Sequence, residues 1–310
     1  MMFVLRAIMV GLAFFGICYS GLSLLAVVCW QIIRWLPRIS FVQSSRSLFA
    51  LRIFPLAISL FLTVVFAVPA FFWLEGGMDE DLGTLLFGIA AFLIFAVGCI
   101  RILTAYFGAS RLVRQWMAES AVLNSNPCAT AFCRSDSTPP LLLYGIFRPR
   151  VLVSETAVSL LSPEELRVAI QHELSHLRFR DNLKKLILYG IPFLGTGSLE
   201  RAWQEATELA SDEAAVSSKD EALALAAALI KLCERVTVRE SPAFTTGLVQ
   251  PAASVNVRVH RLLTWDDAIV RPAKVRWPWG LIIPATLGYL FFSYGHMLVL
   301  IHQLTEWFIH

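Results

Sequence analysis

Residues 171–181 of the chain, QHELSHLRFRD, contain two histidines and a glutamate in the order His-Glu-x-x-His. In a helix, His172 and His176 lie on one face, about one turn or ~6 Å apart along the axis. Both imidazoles can then bind the same metal ion, at about 2.0–2.1 Å for zinc. Glu173, next to the first histidine, is placed to take a proton from the attacking water rather than to bind the metal. The motif therefore predicts one catalytic Zn²⁺ per chain, with Glu173 as the general base.

A hydrolytic zinc needs a third protein ligand and keeps its fourth position for water or substrate. Glu208, in ELASD, is the preferred ligand because Asp212 follows four residues later on the same helical face. From there Asp212 can accept the N–H of a zinc-bound histidine and so fix its tautomer. Glu205 and Glu213 compete with Glu208, but neither is followed by an acid four residues later. The alternative interpretation of the motif is an ordinary exposed helix with two histidines.

A helix with a clear start is predicted to carry the two histidines. Ser162 is an N-cap candidate, Pro163 takes the first helical position, and Glu165 completes a capping box. We expect this helix to run through the histidine motif as far as YGIPFLGTGS, which breaks it. Two more helices are predicted, over about 199–218 and about 219–236, and the first of them carries the third ligand.

Two short strands are predicted before that helix, from LLLYG at 141–145 and RVLVS at 150–154. The preceding stretch, 124–140, is rich in turn formers and is predicted to be a loop. We interpret LLLYG as a candidate sheet edge to which an extended substrate adds.

An oxyanion donor is also expected, because negative charge develops on the carbonyl oxygen during amide hydrolysis. The candidates are Arg258 and His260, in VRVHRLL, and Tyr144. For Arg258 and His260, a surface helix end is an equally good interpretation.

The rest of the composition indicates a membrane protein. Apolar residues make up 57% of the 310 residues and charged residues 16%, and the mean hydropathy is +0.65. Four apolar runs each exceed the roughly 20 residues that span a bilayer, at 7–33, 48–74, 82–107 and 280–304. We therefore expect three transmembrane helices in 1–107, a soluble domain over 108–276, and a fourth transmembrane helix with a short external tail in 277–310.

Charges near these runs predict the orientation. The charges between the first two runs and at the start of the second run are all basic, whereas those between the second and third runs are all acidic. They are Arg34, Arg38, Arg46 and Arg52, then Glu75, Asp79, Glu80 and Asp81. Positive flanks mark the cytoplasmic side, so we expect the domain over 108–276 in the cytoplasm. Acids and bases nearly balance in that domain, and no direct nucleic-acid binding is expected.

Residues 140–216 resemble the BlaR/MecR-type antirepressor membrane zinc metallopeptidases, metallopeptidase family 56. The matching positions are Gly145 with Pro149, 162–166, 172–176, Arg180 with Asp181, and Glu208 with Asp212. The resemblance implies zinc bound by His172, His176 and Glu208, with Glu173 as general base. It implies a mainly α integral membrane protein, with a gluzincin-like α+β cytoplasmic zinc protease domain inserted between spans three and four of four transmembrane helices.

The resemblance also implies regulated proteolysis of a cytoplasmic protein, such as a transcriptional repressor, from the bacterial cytoplasmic membrane. The antibiotic sensors of that family carry a penicillin-binding domain after span four, whereas this sequence ends at His310. We therefore expect no β-lactam sensing by this chain, which makes a separate sensor protein a candidate partner.

Two other functions remain open at this point. One is an HtpX-like or CAAX-type membrane protease in protein quality control. HtpX-like proteins place spans between the histidine motif and the glutamate ligand, whereas residues 183–199 here are too short for a span and contain Lys184 and Lys185. The other is a non-catalytic membrane signalling scaffold, against which the intact Glu173 argues.

Overall fold

The computed structural model describes residues 2–35, 44–74, 82–118, 130–133, 140–146, 150–235, 245–247, 252–265, 294–300 and 303. These residues are mostly helical and include one small sheet. Long apolar helices come first along the chain, and shorter helices follow around the sheet.

Three helical segments are long and apolar enough to cross a membrane, at Arg6–Trp35, Ser45–Trp73 and Leu85–Gln115. They comprise α1 (Met2–Trp35), then α2 (Ser45–Leu62) with a π-helical turn (Thr63–Ala67) and α3 (Val68–Leu74), then α4 (Leu82–Ala118). The first three apolar runs are thus confirmed as candidate spans. The third of these segments, α4, continues as a helix to Ala118, beyond the end of the apolar run at 107.

The second span contains an irregular turn whose backbone is completed by a residue from the far end of the chain. Pro69 has no N–H, so the Val65 carbonyl four residues earlier lacks its usual helical donor. The Tyr294 hydroxyl donates to that carbonyl over 3.0 Å. A neighbouring segment therefore satisfies the backbone group that the proline leaves open, as membrane helices require.

Most of the predicted fourth span, 280–304, lies outside the described residues. Its described part, 294–300, is helical. Leu298 packs in a cluster with Phe14 of α1 and Phe66 of the π-helical turn. This helical segment agrees with a fourth span, and the length of that span stays a prediction.

The sheet has four described strands in the order β1-β3-β2-β4. They are β1 (Thr130–Cys133), β2 (Leu141–Tyr144), β3 (Arg150–Ser154) and β4 (Thr245–Gly247). β1 is parallel to β3, and β2 is antiparallel to both of its neighbours. The two predicted strands are confirmed as β2 and β3.

Two predictions about the sheet are wrong. The stretch 124–140 was predicted to be a loop but contains β1. Pairing with β3 stabilises these residues as a strand, although turn formers lie on both sides of them. LLLYG is not a sheet edge, because β4 pairs with β2 on the side away from β3. Both errors concern partners distant in sequence, which a local pattern does not reveal.

Six helices complete the described domain: α5 (Glu155–Leu160), α6 (Pro163–Phe179), α7 (Asp181–Gly190), α8 (Gly197–Ala215), α9 (Lys219–Arg235) and α10 (Ala252–Leu263). The predicted capping box begins α6, since the Glu165 N–H donates to Ser162 Oγ (3.3 Å) and the Ser162 N–H to Glu165 Oε2 (2.8 Å). The prediction of one unbroken helix is wrong. Arg180 takes the left-handed conformation (φ 55°, ψ 40°) and separates α6 from α7.

The core of the domain fixes α6 between the sheet and the helices α8 and α9. Its buried members include Leu141, Leu143, Val168, Ala169 and Leu229. Burial of apolar side chains on both sides of α6 holds in place the helix that carries both histidines.

Candidate metal centre

His172 and His176 project from one face of α6, and both side chains are fully buried. Their ring centroids are 4.8 Å apart and the ring planes cross at 83°. The two Nε2 atoms lie 3.1 Å apart. Nitrogens that each lie about 2.0–2.1 Å from one tetrahedral zinc are about 3.3 Å apart. The spacing of this pair therefore suits two ligands of a single ion.

Glu208, on α8, faces the two histidines. Its Oε2 atom lies 3.5 Å from His172 Nε2 and its Oε1 atom 3.7 Å from His176 Nε2. One ligand atom from each of the three residues lies within 4.8 Å of the others. The competing acids Glu205 and Glu213 are exposed on the same helix. The structure thus brings together the three side chains that the sequence analysis selected as ligands.

Each histidine has a carboxylate behind it. His172 Nδ1 lies 2.9 Å from Asp212 Oδ1, and His176 Nδ1 lies 2.9 Å from Asp181 Oδ2. A carboxylate in this position holds the proton on Nδ1 and leaves the Nε2 lone pair for a metal. Asp212 lies where the sequence analysis expected it. Asp181 has the same position behind His176, and the sequence analysis gave Asp181 no such role.

Asp181 reaches His176 because the chain turns at Arg180. In an unbroken helix a residue five positions after His176 would point about 140° around the axis from it. The left-handed Arg180 instead ends α6 and returns Asp181 toward the histidine. Asn182 fixes the turn by donating from Nδ2 to the Gly145 carbonyl over 3.1 Å.

Arg258, on α10, is buried beside two of the carboxylates. Its Nε and Nη2 atoms donate to the two oxygens of Asp212 over 2.7 Å each. Its Nη1 atom lies 3.2 Å from Glu208 Oε2. Such a bidentate pair fixes both the position and the orientation of a carboxylate. This placement favours a positioning role for Arg258 over the oxyanion role considered from the sequence.

The other two candidate oxyanion donors lie elsewhere. His260 is exposed on α10, and no contact within the described ranges joins its ring to the metal-ligand cluster. The Tyr144 hydroxyl lies 2.8 Å from Ser110 Oγ of α4. The Tyr144 ring packs with Val113 on the sheet face opposite to the one that contacts α6. Neither placement supports the predicted oxyanion role.

Burial and charge pairing act against each other on the pKa values of the cluster. Burial lowers the pKa of His176, but the Glu208 charge and the hydrogen bond with Asp181 outweigh it and raise this pKa to about 9. Burial raises the pKa of Glu208, but the charge of His176 and the nearby His172 ring outweigh it and hold the pKa well below its usual value. Burial also raises the pKa of Asp212, but the charge of Arg258 outweighs it, so this pKa is lowered. Ionised carboxylates therefore surround the histidines and favour a cation among them.

Glu173 differs from the other acids of the site. It is fully buried, and neither carboxylate oxygen has a hydrogen-bond partner among the described residues. Burial raises the pKa of Glu173, against the charges of His176 and His172. Buried polar groups are normally paired, so an unpaired carboxylate beside the ligand cluster indicates a group kept ready to exchange a proton.

Lys185, on α7, is a residue that the sequence analysis did not select. Burial lowers the pKa of its ammonium group, while the charges of Glu208, Asp181 and Glu173 act in the opposite direction. The Lys185 amino group therefore lies within electrostatic reach of the acids of the site. No motif spacing marks it, because its position depends on the turn at Arg180.

The donor set fits zinc. Two imidazole nitrogens and one carboxylate form one of the ligand sets of zinc hydrolases, and three protein ligands leave a fourth position for water or substrate. Behind each histidine a carboxylate oxygen lies 2.9 Å from Nδ1, the position in which such ligands normally have an outer partner.

Asp181→Asn is expected to lower the zinc affinity about 10- to 100-fold, because an amide orients the His176 ring but no longer increases its basicity. Competition with a chelator of known affinity measures this change. Asp220→Asn, an exposed position at the start of α9, is the matched control and should leave the affinity unchanged. Equal affinities for the two variants would rule out a supporting role for Asp181.

Comparison with known proteins agrees with the geometry of the site. A sequence model of the family described as BlaR1 peptidase M56 matches residues 82–262, which is more than half of the chain. The match extends from the third span through α10 and so includes every residue of the metal-ligand cluster. No curated protein matches the chain.

Proposed function

The chain belongs to the M56 peptidase family, and we propose that it is a membrane-embedded zinc metalloendopeptidase that hydrolyses peptide bonds of a cytoplasmic protein. The family and the three apolar helices make it a membrane-associated metallopeptidase. One observation above all supports the finer proposal. The buried, unpaired carboxylate of Glu173 lies beside a three-residue ligand group, as hydrolysis at a zinc ion requires.

Each residue of the site has a separate role in the proposed reaction. Zinc, when bound, supplies a Lewis acid that polarises a peptide carbonyl and makes water more acidic. His172 and His176 would hold the ion through Nε2, with Glu208 as the third ligand, while Asp212 and Asp181 would keep the protons on Nδ1. Glu173 accepts the proton of the attacking water and delivers it to the leaving amine nitrogen. Its raised pKa suits a group that must both take and return a proton.

We propose that the site faces the cytoplasm of a bacterium. The basic loop between spans one and two supports this orientation, because positive flanks mark the cytoplasmic side. Arg34 lies next to the last residue of α1, and Arg46 lies next to the first residue of α2. α8 packs against α2 near that end. The acidic loop between spans two and three belongs to the external side.

The family also suggests a role in signal transduction. We propose regulated proteolysis of a transcriptional repressor as the reaction and a separate membrane sensor as the activating partner. The HtpX-like alternative is less well supported, because all three candidate spans precede the histidine motif. The described segment between His176 and Glu208 holds no helix of spanning length.

Exposure of a cytoplasmic protein extract to the protein reconstituted in lipid vesicles tests the proposal. New protein N-termini, identified by mass spectrometry, are expected with the zinc-loaded protein. They should disappear after chelation and return when zinc is restored. Identical sets of N-termini with loaded and chelated protein would contradict a peptidase and favour the signalling scaffold.

A further inference from the structure

The turn between α7 and α8 lies within an uncharged stretch of the catalytic domain. Residues 186–199, LILYGIPFLGTGSL, contain no acid or base, whereas Lys184 and Lys185 precede them and Glu200 and Arg201 follow. An uncharged stretch of roughly 10–14 residues is too short to span a bilayer, and is typical of buried core segments or of re-entrant membrane segments. The contacts of this stretch distinguish between these two possibilities.

This turn contacts the membrane spans at residues that lie two or more helical turns inside them. The Ile191 carbonyl accepts hydrogen bonds from the Tyr19 hydroxyl (3.1 Å) and from Arg52 Nη2. Tyr19 lies near the middle of α1, and Arg52 lies two turns inside α2. The Phe193 ring meets the Tyr19 ring edge-on, with centroids 5.9 Å apart. The turn therefore enters the bundle of spans rather than lying over its end.

Glycines permit this close approach. A β-carbon at Gly98, near the middle of α4, would collide with the Gly190 carbonyl oxygen. A β-carbon at Gly190 would collide in turn with the Ile102 side chain of α4. Gly195 has a positive φ of 88°, and a β-carbon there would lie 3.3 Å from the Val27 side chain of α1. The backbones of the turn and of span three are thus in direct contact.

The polar groups of the turn have partners that do not depend on water. The Thr196 hydroxyl donates to the Phe193 carbonyl over 2.9 Å. Trp30 Nε1 of α1 donates to Ser198 Oγ over 3.2 Å. The charge of Arg52 is paired with Glu200 at 2.9 Å. Irregular backbone within hydrocarbon is stable when the surrounding protein supplies such partners.

The tip of the turn is apolar and uncovered. Leu194 is 92% exposed, the highest value among the exposed large apolar side chains of the described residues. The spans that this turn contacts also expose apolar side chains, such as Phe95 and Leu103 of α4 and Leu24 of α1. Acyl chains that cover the spans would also cover Leu194, whereas water would leave it unfavourably hydrated.

The contacts also give the depth of the metal-ligand cluster. α8 runs antiparallel to α2, because Glu200 pairs with Arg52 and three residues later Trp203 packs on Phe49. The same register, continued along both helices, places Glu208 level with Ser44, the N-cap of α2. The ligand cluster therefore lies at the end of the second span.

We propose that residues 186–199 form a re-entrant hairpin whose tip at Leu194 contacts lipid acyl chains and which holds the metal-ligand cluster at the cytoplasmic membrane surface. The hairpin joins α7, which begins at Asp181, to α8, which carries Glu208 and Asp212. Both outer carboxylates and one ligand are therefore attached to a membrane-embedded element. Peptide bonds that reach the site must then lie close to the bilayer.

Fluorescence quenching by lipid tests the proposal. Single cysteines replace Leu194, Phe95 or Lys219 in a background in which the six native cysteines are changed to serine or alanine. Each is labelled with bimane and reconstituted into vesicles that contain nitroxide-labelled acyl chains. Leu194→Cys is expected to be quenched as strongly as Phe95→Cys in span three, and several-fold more than the exposed Lys219→Cys of α9. Quenching at position 194 no stronger than at 219 would overturn the proposal.

A charge substitution provides a second, independent test. Leu194→Arg is expected to reduce the amount of folded protein in membranes several-fold, because an arginine in hydrocarbon is costly. Val158→Arg, at an exposed apolar residue of α5 that is 46% accessible, is the matched control and should have no effect. Equal amounts of the two variants would place the tip in water. Neither test depends on zinc or hydrolysis, so an inactive protein would contradict the proposed function and leave this inference intact.

Discussion

Glu173→Gln is expected to lower the rate of peptide hydrolysis about 10²- to 10⁴-fold, the usual contribution of general acid–base catalysis, with zinc bound as before. Glutamine has the shape of glutamate but takes no proton from water. Because both Glu173 oxygens lack partners within the described residues, the substitution breaks no hydrogen bond in the described structure. The loss should therefore appear in the chemical step and not in the folding of the protein.

The measurement compares the turnover of a cleavable protein substrate with the zinc content of the same preparation. Glu164→Gln is the matched control, since Glu164 is an exposed acid at the start of the same helix. It should retain both full activity and zinc. Full hydrolysis by Glu173→Gln, with zinc retained, would exclude Glu173 as the proton acceptor and reopen the assignment of the general base.

Local spacing was sufficient to predict the centre of the site. Residues four apart on a helix share a face, so the pairs His172 with His176 and Glu208 with Asp212 were correctly placed by counting alone. The capping box at Ser162 likewise depends on neighbours in sequence and is confirmed. What the sequence did not supply was the relation between α6 and α8, which the core around Val168 and Leu229 determines.

Features that depend on one unusual backbone residue or on a distant partner were missed. The role of Asp181 depends on the left-handed Arg180, and nothing in the residue types around it requires a break there. Arg258 was considered as an oxyanion donor, but its direction depends on how α10 packs near α8, and it pairs with Asp212. β4 removes β2 from the sheet edge by pairing across about a hundred residues of chain.

In the membrane spans, too, features set by local sequence were predicted and features that depend on distant residues were not. Composition and length predicted the first three spans, because burial in lipid requires a long apolar run. The stretch 183–199 was interpreted only as too short, and too charged at Lys184 and Lys185, to be a span. Its place inside the bundle depends on Tyr19, Arg52 and Gly98, which lie more than eighty residues earlier in the chain. Hydropathy contains no information about such contacts.

Glu208→Ala is expected to lower the zinc affinity more than about 100-fold, beyond the effect of losing an outer carboxylate. The wild-type protein should contain about one zinc per chain, because the described residues hold a single group of three suitable ligands. The variant leaves two histidines, and two protein ligands do not make a stable zinc site. Arg258 keeps its bidentate bond with Asp212 in the variant, so the fold around α8 should persist.

Zinc content and chelator competition on detergent-purified protein measure the effect, with Glu213→Ala as the matched control. Glu213 lies five residues later on α8, is exposed and pairs with Arg261 at the surface, so its removal should leave zinc binding unchanged. Wild-type affinity in Glu208→Ala would remove Glu208 from the ligand set. A wild-type protein without zinc after reconstitution would make the histidine motif an ordinary helix. It would also favour the signalling scaffold. The carboxylates beside the two histidines would then orient side chains that bind no metal.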